Sequence, residues 1–254
     1  MIKIIINYVN IPVFFICFVF VFSNTKAFAY DPNNKFNPHI LIFPAKEEKK
    51  YAALTFDDGP QRTYTTMILD ALKEHNAHAT FFVLGHKIPN TEDIIKRCVD
   101  EGHSVGCHTY NHLNLVHYKK DKIEQQLDMT NALIREITGV EINIIRPPYG
   151  NRNDTVISLS KEKNMSVILW SIDPRDWSTK NPDKISDAIL NSVKDGDIIL
   201  LHDVFKPSAI AAVKVIEELT RRGFELVTVQ ELIEIKAGKM IPGGIYKHGF
   251  GTDN

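Results

Sequence analysis

The sequence predicts an α/β fold, a distorted (β/α) barrel of about seven parallel strands, and three observations carry that expectation. From Tyr51 onward, apolar runs of four to six residues alternate with longer amphipathic segments. The alternation is regular, without a block of strands followed by a block of helices, which is the order a parallel sheet with helical crossovers requires. Residues capable of chemistry stand just after the apolar runs, at the rim where the loops of such a barrel converge.

The elements follow in order. The run 52–56 reads as the first strand and 64–74 as the helix that returns the chain. Residues 79–84, rich in Phe and Val, make a second strand, and 91–101 the next helix. A short run at 104–107 precedes the long amphipathic segment 119–138, and 142–145 precedes 155–163. The pattern closes with 166–170 and 182–193, then 197–201 and 207–222, and finally 224–229 as a seventh strand.

The chain has 254 residues, 44% hydrophobic and 24% charged, enough for one substantial core and biased toward no disordered or fibrous class. No internal repeat or second domain is visible. A formal net charge of −1 offers no general attraction to nucleic acid, which is excluded as an expected partner.

Residues 1–29 differ from the rest. Lys3 precedes an apolar run over 11–22, and Ala27-Phe28-Ala29 supplies a small-x-small site, the layout of a secretory signal cut before Tyr30. The alternative is an uncleaved anchor, because apolar character reaches back to Ile4. Either reading exports the catalytic part, with the membrane touched only through this segment. Loss of residues 1–29 takes two lysines and no acids, moving the formal charge from −1 to −3. Residues 30–50 are expected as a linker, 51–235 as the catalytic domain and 236–254, with five glycines, as a flexible tail. Cys98 and Cys107 are read as buried thiols, since their spacing fits no metal or disulfide-rich pattern.

Five clusters carry the chemistry: Thr55-Phe56-Asp57-Asp58-Gly59, His108 to His112, Arg146 to Gly150, Asp173 to Trp177, and Leu200 to His202. His108 and His112 are four residues apart, so both imidazoles can face one ion. Alone the pair reads more readily as two surface histidines. Asp58 from another strand end completes a two-histidine, one-carboxylate set with room for water, the composition of a catalytic metal site. Zinc suits those donors best, and cobalt, nickel or iron would also be accepted. Asp57 and Asp58 are neighbours that point apart if the strand runs through them, so one can hold metal while the other faces substrate. A lone Asp-Asp-Gly would otherwise read as a turn or a helix cap.

Together the clusters resemble the five motifs of the polysaccharide deacetylases, the NodB-homology or carbohydrate esterase family 4 group, in order and with none missing, from about Tyr51 to Leu232. The resemblance implies that Asp58, His108 and His112 hold one divalent ion. Asp57 would be the general base, kept ionised and aimed by Arg146. The backbone N–H of Tyr149 would stabilise an oxyanion. His202 would be the general acid, oriented by Asp176. Tyr149, Trp177 and Leu200 would contact the substrate, the last two as an apolar wall.

The expected protein is a secreted, monomeric, metal-dependent deacetylase of N-acetylglucosamine in wall glycan, with peptidoglycan preferred over chitin oligomers or acetylxylan. A catalytically idle glycan binder is the competing class, and it has no need of Asp57 and His202 together.

Overall fold

The computed structural model describes residues 48–252. The expected export segment and nearly all of the linker, residues 1–47, lie outside the described residues.

Among the described residues, eight strands form a parallel sheet. They are β1 (Lys50–Asp57), β2 (Ala79–Val83), β3 (Ser104–Cys107), β4 (Ile144–Ile145), β5 (Ser166–Ile168), β6 (Ile198–His202), β7 (Phe224–Leu226) and β8 (Ile245–Tyr246). Their order is β6-β1-β2-β3-β4-β5-β8, with β7 paired to the first three residues of β1. Every pairing between named strands is parallel, as the alternating sequence requires. The sheet curls until the chain beyond β5 meets β6 in a single parallel bridge, Ile172 with Ile199. The result is a distorted barrel, one strand richer than the alternation suggested.

Seven α-helices among the described residues connect the strands: α1 (Arg62–Glu74), α2 (Glu92–Asp100), α3 (Lys120–Thr138), α4 (Asp154–Glu162), α5 (Pro182–Leu190), α6 (Lys206–Arg221) and α7 (Val229–Ala237). Successive strand residues point to opposite faces, so each strand serves two environments. Ala52, Leu54 and Phe56 of β1 join Phe81 and Val83 of β2, and Ile199 and Leu201 of β6, in the large core beneath the helices. Ala53, Phe82, Ile144, Ile168 and Ile198 face the other way and fill the lower interior with Tyr246 and with Val229, Leu232 and Ile233 of α7. Continuing upward on that inner face, the same parity brings Thr55 and Asp57, Arg146, and Leu200 and His202.

The stretch after Ala237, expected as a flexible tail, instead contributes β8, which pairs with β5 through Val167–Ile245 and Ile168–Tyr246. Tyr246 is fully buried, and its hydroxyl accepts from the Ile241 N–H at 2.8 Å. The many glycines hid a two-residue strand too short to show a period. Cys98 and Cys107 are free and buried, and burial pushes the Cys107 thiol up to about 12, as expected of structural thiols.

Candidate active site

The site begins with the top of β1. Strand register puts Asp57 beside His202 of β6, and because both are inward residues, their side chains share one face. Asp57 is 3% exposed. Its Oδ1 accepts from Arg146 Nη1 at 2.8 Å, and the same nitrogen donates to Thr55 Oγ1 at 2.7 Å. Arg146 also donates to the carbonyls of Ile168 at 3.2 Å and Leu169 at 2.8 Å, with its guanidinium 4.2 Å from the centre of the Phe82 ring. A buried guanidinium with four partners and an aromatic platform has one orientation available, and that orientation fixes Asp57.

Asp58 departs from the strand in a left-handed conformation, φ 72°. That twist turns its carboxylate away from Asp57 and toward the loop after β3. The sequence allowed the Asp-Asp pair to cap the following helix, but Gln61 caps α1 instead, accepting from the Tyr64 N–H at 2.7 Å. Asp58 Oδ1 is buried and has no hydrogen-bond partner in the protein. It lies 3.5 Å from His108 Nε2 and 3.3 Å from His112 Nε2.

His108 Nδ1 donates to the Arg146 carbonyl at 2.7 Å, which fixes the tautomer and leaves the Nε2 lone pair facing Asp58. Burial lowers the His112 pKa and favours the neutral ring that a cation needs. One donor atom from each of the three residues lies within 4.8 Å of the others. A buried carboxylate oxygen without a partner, facing two imidazole nitrogens, fits a divalent ion and is costly without one.

On the opposite side, His202 Nδ1 and Asp176 Oδ1 are 2.8 Å apart, and the His202 backbone N–H donates to Asp176 Oδ2 at 2.8 Å. Trp177 N–H donates to Asp176 Oδ1 at 2.9 Å, so the buried carboxylate is held from three directions. Burial alone would lower the His202 pKa. The hydrogen bond and charge of Asp176 outweigh it and raise the value to about 9.

Tyr149 occupies the apex of a short 3-10 turn at φ 62°, largely exposed, with its ring edge-on to His112 at 4.8 Å. Trp177 is half exposed, with the Arg175 guanidinium 5.3 Å from its ring centre. Leu200 is only 4% exposed and stands beside Thr55 on the inner face of β6, deeper than Trp177. Asp173 remains on the surface, shaping the turn by accepting from the Arg175 N–H at 2.7 Å. The fold therefore gathers Asp57, Asp58, His108, His112, Arg146, Tyr149, Asp176, Trp177 and His202 at one rim, with Leu200 beneath it.

Three contributors lack a role in the sequence reading. Thr55 bridges Arg146 to the Ile199 carbonyl, accepting from one and donating to the other at 2.7 Å each. Gln126, fully buried on α3, accepts from the Asn111 N–H at 2.8 Å and pins the loop between the two histidines. Its signal is a polar residue in phase with Ile123, Leu127, Thr130 and Ile134 on the buried stripe. Asp203 is buried next to His202 and hydrogen-bonded by Thr65 Oγ1. Its carboxylate takes the space a side chain at Gly59 would need.

A parallel barrel with a two-histidine, one-aspartate cluster at its C-terminal rim, flanked by an Arg-held aspartate and an Asp-held histidine, defines a metal-site hydrolase scaffold. Residues 45–168 match the polysaccharide deacetylase family model. The chain is 37% identical to a peptidoglycan-N-acetylglucosamine deacetylase of Bacillus cereus, the match covering 77% of this chain and 94% of that protein. It is 40% identical to the peptidoglycan-N-acetylmuramic acid deacetylase PdaC of Bacillus subtilis over 78% of this chain, and the match spans 43% of PdaC's length. Among solved structures, the family 4 acetyl xylan esterase from Clostridium thermocellum, determined with a cobalt ion, superposes with a TM-score of 0.73 at 32% identity, covering 78% of this chain and 98% of that one. This chain belongs to the polysaccharide deacetylase family.

Proposed function

We propose that the protein is an exported, metal-dependent deacetylase that removes N-acetyl groups from N-acetylglucosamine in peptidoglycan. The observation that carries this reading is the two-sided tethering of the site. Asp57 is held by Arg146 on one flank of the Asp58, His108 and His112 cluster, and His202 by Asp176 on the other. A glycan-binding protein needs neither device.

Asp58, His108 and His112 would hold one divalent ion, zinc by donor type, and such an ion supplies polarisation of the acetamide carbonyl and acidification of water. Asp57 takes the proton from the attacking water, and the Arg146 charge keeps the carboxylate ionised until then. The Tyr149 backbone N–H donates to the developing oxyanion from its turn. His202, charged through neutrality because Asp176 raises its pKa, delivers a proton to the departing amine, without which the amide C–N bond does not break. Trp177 offers the sugar an apolar face, and Leu200 closes the wall behind it. The wall substrate rests on the Bacillus cereus relative, and export on the N-terminal pattern. Among the described residues, no helix is long and apolar enough to cross a membrane.

The test is acetate release from purified peptidoglycan, tetra-N-acetylchitotetraose and acetylxylan, run side by side. Expected outcomes are turnover of peptidoglycan, loss on chelation, recovery with zinc or cobalt, and a fall of roughly 10²–10⁴-fold in Asp57→Asn. Mass spectrometry of the digested wall should place the new amine on glucosamine. Preference for acetylxylan would reassign the substrate to an ester, an amine on muramic acid would reassign the sugar, and release insensitive to chelator would end the metal reading.

A further inference from the structure

Phe205 lies three residues beyond His202, at the start of a helix that its side chain cannot cap. It is the N-cap of α6, with extended backbone at φ −118° and ψ 133°, and its side chain makes no capping hydrogen bond. Ser, Thr, Asp and Asn are preferred there because a side-chain oxygen can satisfy an otherwise free N–H of the first turn. Gln61, Asn153, Asn181 and Thr228 cap α1, α4, α5 and α7 in this way, whereas α2 and α3, like α6, have no side-chain cap. The Phe205 ring is only partly packed, with 40% of the residue left exposed. Its ring lies 6.2 Å from the His202 imidazole, tilted by 54°. Two more exposed aromatics border the same rim, Tyr149 beside His112 and Trp177 beside Asp176.

We infer that Phe205 is a binding residue for the glycan, its ring packing on a pyranose held on the His202 side of the site. The inference rests on the reading that the site acts on a glycan. A pyranose presents a flat, largely C–H face, and an exposed aromatic ring gains by exchanging water for that surface. Tyr149 and Phe205 then border the sugar from the metal side and from the acid side.

The opposing demands of helix and ligand supply the experiment. Phe205→Ser gives α6 the cap it lacks and removes the ring. The thermal midpoint should rise by roughly 2–4 °C. Affinity for tetra-N-acetylchitotetraose should fall roughly five- to tenfold, measured by calorimetry on zinc-loaded protein carrying Asp57→Asn so that the tetramer is not consumed. Phe205→Trp should restore affinity. Unchanged affinity in Phe205→Ser would overturn the inference, as would a loss of affinity accompanied by a lower midpoint, which marks a packing residue. Because binding is read without turnover, a wild-type protein that binds the tetramer but releases no acetate from it, from peptidoglycan or from acetylxylan would defeat the deacetylase reading while leaving this role intact.

Discussion

The upper and lower halves of the barrel interior are built by the same strands on the same face, and they behave as opposites. Below, Ala53, Phe82, Ile144, Ile168 and Ile198 close on α7 and Tyr246, and the polar side chains among them serve the backbone, Thr80 Oγ1 accepting from the Val229 N–H at 3.0 Å and Ser166 Oγ donating to the Ile241 carbonyl at 2.8 Å. Above, a step of two or four residues along each strand brings Asp57, Arg146 and His202. Phe82 is the seam, apolar toward the plug and a platform for the Arg146 guanidinium. One sheet thus supplies a rigid floor and a polar site whose geometry the floor fixes.

Positive backbone φ is concentrated in the loops of the upper half. Eight non-glycine residues among those described have positive φ. Three are asparagines, which tolerate that region: Asn76 and Asn164 follow α1 and α4 at the foot of the sheet, and Asn90 lies between β2 and α2. The other five stand in the loops of the site, Asp58 and His112 of types that also tolerate it, and Thr109, Tyr149 and Arg175 of types that do so less readily. Their left-handed turns aim side chains that a relaxed loop would point elsewhere, and the packed core below holds them there.

The contrast can be broken hardest at the seam. Arg146→Met should abolish acetate release and cost about 3–5 kcal/mol of stability in urea denaturation, because Asp57 is left as an uncompensated buried charge. A variant that loses activity at full stability would show that Arg146 only tunes the base. Below the seam, Ile233→Ala should cost about 3 kcal/mol through the cavity it opens while acetate release per folded molecule stays within about twofold. Activity lost in proportion to stability would mean that floor and site are one unit.

The smallest effect separates two histidines. Burial drives His103, near the foot of β3, down to about 4, whereas Asp176 lifts His202 to about 9 despite its burial. His103 is neutral in the folded chain where the unfolded chain would bind a proton. Its contribution is therefore complete above about pH 6.5 and lost as pH falls toward 4. Acidification from about pH 7.5 to about pH 5 should cost about 2 kcal/mol through this group, removed in a His103→Gln background. His202 has the opposite sign, stabilising below about pH 6.5 and losing its contribution as pH rises through 9. Asp176→Asn should bring the alkaline limb of the pH–rate profile down from about 9 toward the ordinary imidazole range. An unmoved limb would assign it to another group.

The sequence by itself determined the α/β class, the placement of chemistry at strand ends, and the five clusters with the roles their likeness to deacetylases implied. Those properties are local or periodic: alternating apolar runs reveal strands, and residue types at fixed offsets reveal donor sets. Thr55 stood within a quoted cluster, yet its bridging role depends on Arg146, 91 residues away. Gln126 and Asp203 act through partners on other elements, which no spacing encodes. β8 escaped because two residues carry no period and their partner strand is far off in sequence. The tertiary structure alone decided that Asp58 turns from Asp57 toward the histidines and that Tyr246 seals the floor. It also decided that Phe205 stays partly exposed beside His202. Each depends on backbone twist or on contacts between distant segments, and these take shape only when the core packs.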